Sequence, residues 1–559
     1  MLGVRGDRSV NPEDAPGKPP EVPPPKLGMV DWYDPVQLLS TGIEVLIATA
    51  MGRRFDYRMM EDVALKQKVF DYSRDGKQER QEIWFDFLAD TGDGWNSTYA
   101  IASLVAQPAL QVGDRSLPRG SLLIMGGDEV YPFASQRNYR ERLVAPFETA
   151  LRTSEAPHPR LFAIPGNHDW YDGLVSFSRR FTQRRWIGGW RTRQRRSYFA
   201  LKLPHRWWLW AVDVQLESDI DIGQLNYFRR IARKLEPGDR VILVSEQPEW
   251  LYKDIEDDPV AESNLAYLEK EIIEPKKADV YLWLAGDLHH YRRHEDRKDA
   301  RFQRLTSGGG GAYLFPTHGP LFGAANTVSR RRVRVGDTDF EPKCRFPSPA
   351  TSFRLSLLNL FFLVKNWKFG FLTGLAYAAL TWGQPAAGGG GSIWPDVLAH
   401  PSRLVWMLLI LVAFIFYADR ERPVFRFVGG AIHGALHIAA ALFIADWTAG
   451  HLSAGTTTVE QVWRLGLNFL GGAVLGPTIV GLYLLVAVNL FGAHSSEAFS
   501  SLRIQDFKNF LRLHIAPEGT LEIFPIGINR VPRRNDAQGR FMLIEGPITI
   551  DPRSPATIP

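Results

Sequence analysis

The stretch RLFAIPGNHDW, Arg160 to Trp170, decides how the first half of this chain reads. Leu161 to Ile164 form an apolar run of strand length, and Pro165 with Gly166 stops it. An amide, an imidazole and a carboxylate follow at once in Asn167, His168 and Asp169, where a strand would give way to a loop. The same pattern recurs on both sides. IWFDFLAD (Ile83 to Asp90), SLLIMGGDE (Ser121 to Glu129), RVILVSEQ (Arg240 to Gln247) and VYLWLAGDL (Val280 to Leu288) are apolar runs closed by small or charged residues. Helix-like stretches such as NSTYAIASLVAQ (Asn96 to Gln107) separate them. The alternation predicts an α/β domain whose functional groups lie in loops at sheet edges.

The polar residues at these strand ends form an ordered set. FLADTGD carries Asp90, MGGDEVY carries Asp128 and Tyr131, PGNHD carries Asn167, His168 and Asp169, LVSEQP carries Glu246, and AGDLHHY carries Asp287 and His289. Carboxylates, an amide oxygen, a phenol and imidazoles make a mixed donor set suited to hard or borderline divalent metals. Two such ions, bridged by one carboxylate, clamp a phosphate and ionise a shared water. Taken singly, each residue has a plainer reading as turn former, helix cap or packing group. Taken in order, they point to a metal centre.

That order resembles the calcineurin-like metallophosphoesterase superfamily over roughly Ile83 to His290, and the D-x-G at Asp90 and GD-x-x-Y at Asp128 resemble its purple acid phosphatase variant. WAVDVQ with Asp213 and IGQLNYF with Gln224 are similar to supporting segments of the family. The resemblance implies an αββα sandwich, hydrolysis of a phosphate mono- or diester, and two divalent metal ions, manganese foremost with iron, magnesium or zinc as alternatives. By the same resemblance Asp90, Tyr131 and His289 hold the first metal and Asp128 bridges both. Asn167, Glu246 and Asp287 hold the second, and His168, oriented by Asp169, is the general acid. Glu246 and Asp287 depart from the family pattern, standing where it has imidazoles. Either the all-oxygen second site selects Mn²⁺ or Mg²⁺ over Zn²⁺, or it is weakened and the protein is a phosphate-ligand binding or signalling module. In LTSGGGGAYLFPTH (Leu305 to His318), the glycines either bring backbone amides to a phosphate, making Gly308, Gly309 and His318 substrate-binding, or cross tightly over the sheet.

The rest of the 559 residues reads differently. Residues 1–31 are Pro-rich, lack the apolar core of a signal peptide and are expected to be disordered. The catalytic domain is assigned to 32–345, opening on a helix capped by Asp34 with Val36, Leu39, Ile43 and Leu46 on one face. From 353 to 492 four apolar segments, about Asn366 to Gly383, Leu404 to Ala418, Phe425 to Ala445 and Leu465 to Phe491, predict an all-α transmembrane domain. Arg420, Arg422 and Arg426 fall between the second and third segments, while QPAAGGGGSIWPDVLAHPS (Gln384 to Ser402) and WTAGHLSAGTTTVEQVW (Trp447 to Trp463) carry no Lys or Arg, which places the catalytic domain and both termini in the cytosol. Gly472 and Gly476 have the small-xxx-small spacing of close helix packing, and His433 with His437 suits an interhelical hydrogen bond. Residues 493–559 form a cytosolic C-terminal segment with a hairpin about Pro517 to Gly519.

Charge is nearly balanced, 66 Lys and Arg against 61 Asp and Glu, and no nucleic-acid module is present, so no nucleic-acid partner is expected. The single cysteine, Cys344, excludes an intrachain disulfide framework. Arg179 to Arg196 holds eight arginines interleaved with Trp186 and Trp190. It reads either as a contact with anionic lipid headgroups, the indoles resting at headgroup depth, or as a solvated loop.

Overall fold

The computed structural model describes residues 25–52, 67–153, 157–214, 220–256, 264–321, 333–335, 338–382, 401–418, 423–451, 458–533 and 540–553. The two arginines Arg420 and Arg422, and the first 24 residues of the Pro-rich start, lie outside these.

Two nine-stranded mixed sheets form the core. In one, the strands Ile83–Leu88, Leu122–Met125 and Arg160–Ala163 run parallel and adjacent. In the other, Trp207–Ala211, Arg240–Val244, Asp279–Ala285 and Gln303–Ser307 do the same. Phe85, Phe87, Ile124 and Phe162 from the first sheet meet Leu201, Leu209, Ile242 and Leu282 from the second, so the inner faces pack on each other. The outer faces are covered by helices, Trp95–Ala106 on the first sheet and Ile222–Ala232 on the second. Burial on both faces is why these strands read as continuous apolar runs.

One strand of the first sheet comes from the far end of the chain. Lys508–Ile515 lies antiparallel to Ile83–Leu88 and forms a hairpin with Leu521–Ile528. The segment 493–559 therefore does not stand apart from the domain assigned to 32–345; it completes that domain's sheet, and the helical bundle is inserted between two of its strands. The partnership also explains a charge inside a buried strand. Asp86 is 1% exposed, and directly across the ladder the Arg512 guanidinium donates to it through Nε at 2.7 Å and Nη2 at 3.1 Å.

The bundle consists of the helices Phe369–Thr381, Pro401–Tyr417, Pro423–His451 and Thr458–Val486. Among the described residues two stretches, Val424–Thr448 and Thr458–Phe491, are long and apolar enough to cross a membrane, and the first two helices are shorter. A Cβ on Gly472 would lie 2.7 Å from the Tyr377 side chain, one on Gly476 2.4 Å from Thr373, and one on Gly370 2.5 Å from the Ala473 carbonyl. Glycines on both helices thus let the backbones close on one another. His437 shares a hydrogen bond with the Tyr377 hydroxyl at 3.0 Å, joining the same pair of helices to a third. Helix Pro35–Gly52 is capped by Asp34, whose carboxylate accepts from the Val36 amide, but its apolar stripe faces outward, with Val36 76% and Leu46 71% exposed.

The bundle and the sheets meet at the edge where the parallel strands of the first sheet end. Tyr313 touches Ser496 through its hydroxyl at 3.0 Å, and Arg503 and Lys368 pair with Asp31 and Asp34 at 2.6 Å each. The chain from Leu27 to Tyr33 is pinned across this edge, the Val30 amide donating to Asp93 at 2.7 Å.

Candidate metal centre

The loops after three strands carry four polar residues in left-handed backbone conformations, Asp90 at φ 57°, Asp128 at φ 50°, Asp287 at φ 67° and His289 at φ 48°. Such conformations cost energy for residues with a Cβ and gather at functional sites. Here they turn the side chains inward. The Tyr131 hydroxyl lies 3.0 Å from Asp90 Oδ1, 3.0 Å from Asp128 Oδ2 and 2.9 Å from His289 Nε2, and His289 Nε2 is 3.4 Å from Asp90 Oδ1. Ligands about 2.1 Å from a common ion are separated by about 3.0–3.4 Å in octahedral or tetrahedral arrangements, so these four donors are spaced as the edges of one coordination shell. Among the described residues the carboxylates and imidazoles alone form no closed set of three metal donors; the phenol at the centre is what ties this group together.

The His289 ring is set by its other nitrogen. Nδ1 lies 2.8 Å from the Tyr313 carbonyl, which can only accept, so Nδ1 carries the proton and Nε2 presents its lone pair to the cluster. Burial pulls its pKa down to about 4, keeping it neutral.

The second group is more acidic. Burial, and then the Asp287 and Asp128 charges, hold the Glu246 carboxyl well above its ordinary range. Asp128 is raised by burial and by Asp90, and Asp90 by burial and by Asp287. Four carboxylates therefore face one another in a dry site. Lys508 is the nearby basic group, wholly buried, donating to the Ala312 carbonyl and pushed down to about 8 by that burial. One amine cannot balance four carboxylates, and the donor set fits divalent cations. Asn167 stands at the rim with its amide nitrogen 3.3 Å from the Tyr171 hydroxyl.

His168 is close to this centre, its ring 4.4 Å from that of Tyr131. Asp169 does not orient it. As the third residue of the short helix Asn167–Trp170, Asp169 turns back to accept from the Gly166 amide at 2.9 Å, the Glu129 amide at 3.1 Å and the Tyr139 hydroxyl. The orienting group is the Pro132 carbonyl, 2.6 Å from His168 Nδ1.

The glycine run is the tight crossing. The Gly308 and Gly310 amides donate to the His290 and Ala89 carbonyls, and a Cβ on Gly309 would lie 2.0 Å from the Asn509 side chain and 2.6 Å from its backbone nitrogen. The Gly308 amide is thus committed to the chain itself, and neither it nor Gly309 is assigned to substrate. His318 is likewise drawn off, its Nδ1 2.8 Å from the Ser352 hydroxyl and its ring against Phe353 and Phe499. Substituting Gly309 with alanine is expected to destabilise the fold by about 1–3 kcal/mol, read as a lowered thermal midpoint of the purified protein.

Three contributors escaped the sequence reading. Tyr252 donates its hydroxyl to Asp287. Trp32, from the strap across the edge, sets its ring edge-on to Tyr131 at 6.4 Å, His168 at 5.9 Å and Tyr313 at 5.9 Å. Lys508 arrives on the C-terminal strand. None belongs to a motif; the one signal available was the strap's aromatic pair Trp32 and Tyr33 just after a Pro-rich run. Trp190, which would be exposed whether the Arg-rich stretch were a headgroup contact or a solvated loop, is instead fully buried in the core, and Trp186 is half-buried against His158 and Arg191. Compared with known protein families and with curated proteins, the chain matches neither.

Proposed function

We propose that this protein is a metal-dependent phosphoesterase hydrolysing a phosphate mono- or diester at a membrane surface, with Asp90, Asp128, Tyr131 and His289 holding one divalent ion and Asp128, Asn167, Glu246 and Asp287 a second. The observation that carries this reading is the meeting of phenol, imidazole and two carboxylates at 2.9–3.4 Å beside further buried carboxylates. When bound, the ions supply the positive charge that ionises an attacking water and steadies the phosphate oxygens. The chain's own residues do the rest. His289 is locked in the tautomer that presents Nε2. His168 keeps its proton on Nδ1, so Nε2 accepts while the ring is neutral and donates to a leaving oxygen only as imidazolium, a state that an approaching phosphate dianion favours. Trp32 packs edge-on against the rings of Tyr131 and His168. The two long apolar helices and the bundle's place at the mouth support a membrane location, and Arg420, Arg422 and Arg426 about the junction of the second and third helices, against Arg403 and Arg464 at the opposite ends, support a cytosolic catalytic domain.

The test uses full-length protein in neutral detergent, stripped with a chelator and reloaded with Mn²⁺. Aryl phosphate monoester or diester hydrolysis should vanish on stripping and return on reloading, with metal analysis giving up to two ions per chain. Protein that binds no metal, or that binds it and stays inert on both esters, overturns the proposal.

A further inference from the structure

Beside the metal-centre loops lies an open cleft of about 340 Å³ that the phosphoesterase reading does not use. Gln136, Tyr139, Ser176, Arg179, Arg180 and Arg185 line it. Its floor is fixed and its rim is charged. Tyr139 is 1% and Ser176 6% exposed, while Arg179 and Arg185 reach into solvent. The Ser176 amide is taken by the Asp172 carboxylate at 3.0 Å, which closes the turn beneath the arginines. Among the described residues none of the three guanidinium groups is in an ion pair; Arg185 meets only the Gln183 amide oxygen, at 3.4 Å. Asp172 is reached across a gap by the Arg179 charge, and Glu148 by those of Arg180 and Arg140.

Three guanidinium groups around one concavity repel one another. Arg180 shows the consequence, its pKa pushed below its ordinary value by burial and by Arg185. The arrangement calls for an anion with oxygens on several sides, and a phosphoryl group, which guanidinium forks meet two bonds at a time, answers it. The floor also touches the centre. The Tyr139 hydroxyl that backs the cleft donates to Asp169, whose carboxylate holds the amides of Glu129 and Gly166 next to Asp128 and Asn167.

We infer that this cleft binds a phosphoryl group, separate from any phosphate held at the carboxylate cluster. Its source is either a soluble phosphate or the headgroup of an anionic phospholipid. A ligand spanning both places would carry two phosphates, one at each.

The experiment measures binding to full-length protein in neutral detergent with EDTA throughout, so that the metal centre contributes nothing. Inorganic phosphate is titrated by calorimetry, and phosphatidylglycerol or phosphatidylcholine is doped into the micelles while the thermal midpoint is followed. Saturable binding of inorganic phosphate, weakened roughly tenfold per guanidinium removed in R179Q and R185Q and retained in R179K/R185K, supports a soluble ligand. A rise in midpoint with phosphatidylglycerol alone, lost in R179Q/R185Q, supports the headgroup. Both arginines are exposed, so the variants keep the fold. If neither probe binds, or if binding is the same in R179Q/R185Q, the inference is overturned, whatever the Mn²⁺ hydrolysis assay shows.

Discussion

Replacing Asp128 with asparagine is expected to lower Mn²⁺-dependent hydrolysis by about a thousandfold or more, equivalent to roughly 4 kcal/mol of transition-state stabilisation. Its two carboxylate oxygens serve different partners, Oδ2 the Tyr131 hydroxyl at 3.0 Å and Oδ1 the His168 amide at 2.9 Å. Asparagine keeps the shape and can still accept from one of them, so the fold should stand while the bridging charge is lost. The matching check is metal content: the variant should hold fewer ions than the parent at equal thermal midpoint. Unchanged turnover would remove Asp128 from the centre and, with it, the phosphoesterase proposal.

Replacing Arg512 with methionine is expected to cost about 3–5 kcal/mol of stability, because Asp86 is left charged and alone on the buried, helix-covered face of the first sheet. Burial already raises the Asp86 pKa, with Arg512 and the Gly120 amide pulling the other way. Arg512 also donates to the Leu117 carbonyl at 3.0 Å, so the same change leaves a second buried group unmet. The double variant D86L/R512M should recover at least half of the loss, since an apolar pair suits the surroundings better than a broken ion pair. Limited proteolysis and the thermal midpoint both read this out. A single variant that melts like the parent would mean that the C-terminal strand contributes little to the sheet.

The two predictions touch the parts of the molecule that the sequence disclosed best and least. Strand ends such as LLIMGGD are local: apolar run, glycine turn and carboxylate lie within a few residues, and the period-free burial shows both faces covered. Close packing at Gly472 and Gly476 was legible for the same reason. Pairing across the sheet was not. Asp86 and Arg512 are 426 positions apart, and nothing near Asp86 says that its counter-charge waits beyond the bundle. Asp169 misled through adjacency. Next to His168 in PGNHD it looked like an orienting group, yet a helix start offers a carboxylate at its third position free amides behind it, and those amides won. The glycine run could be read either way because a glycine chosen for a ligand and one chosen for a neighbouring backbone look alike without the neighbour. Here that neighbour, Asn509, again comes from the distant strand.

That distant strand also sets an order of events during synthesis. Ile83–Leu88 leaves the ribosome early and has one side of its ladder open until Lys508–Ile515 is made. Everything between, the whole helical bundle included, must be produced first. The first half of the chain therefore cannot close its sheet, or bring Lys508 beside Asp90, before the bundle has been synthesised. A chain stalled or cut short within the bundle would carry all five motifs and lack the strand that brings Lys508, so completion of the site waits on synthesis of the whole bundle.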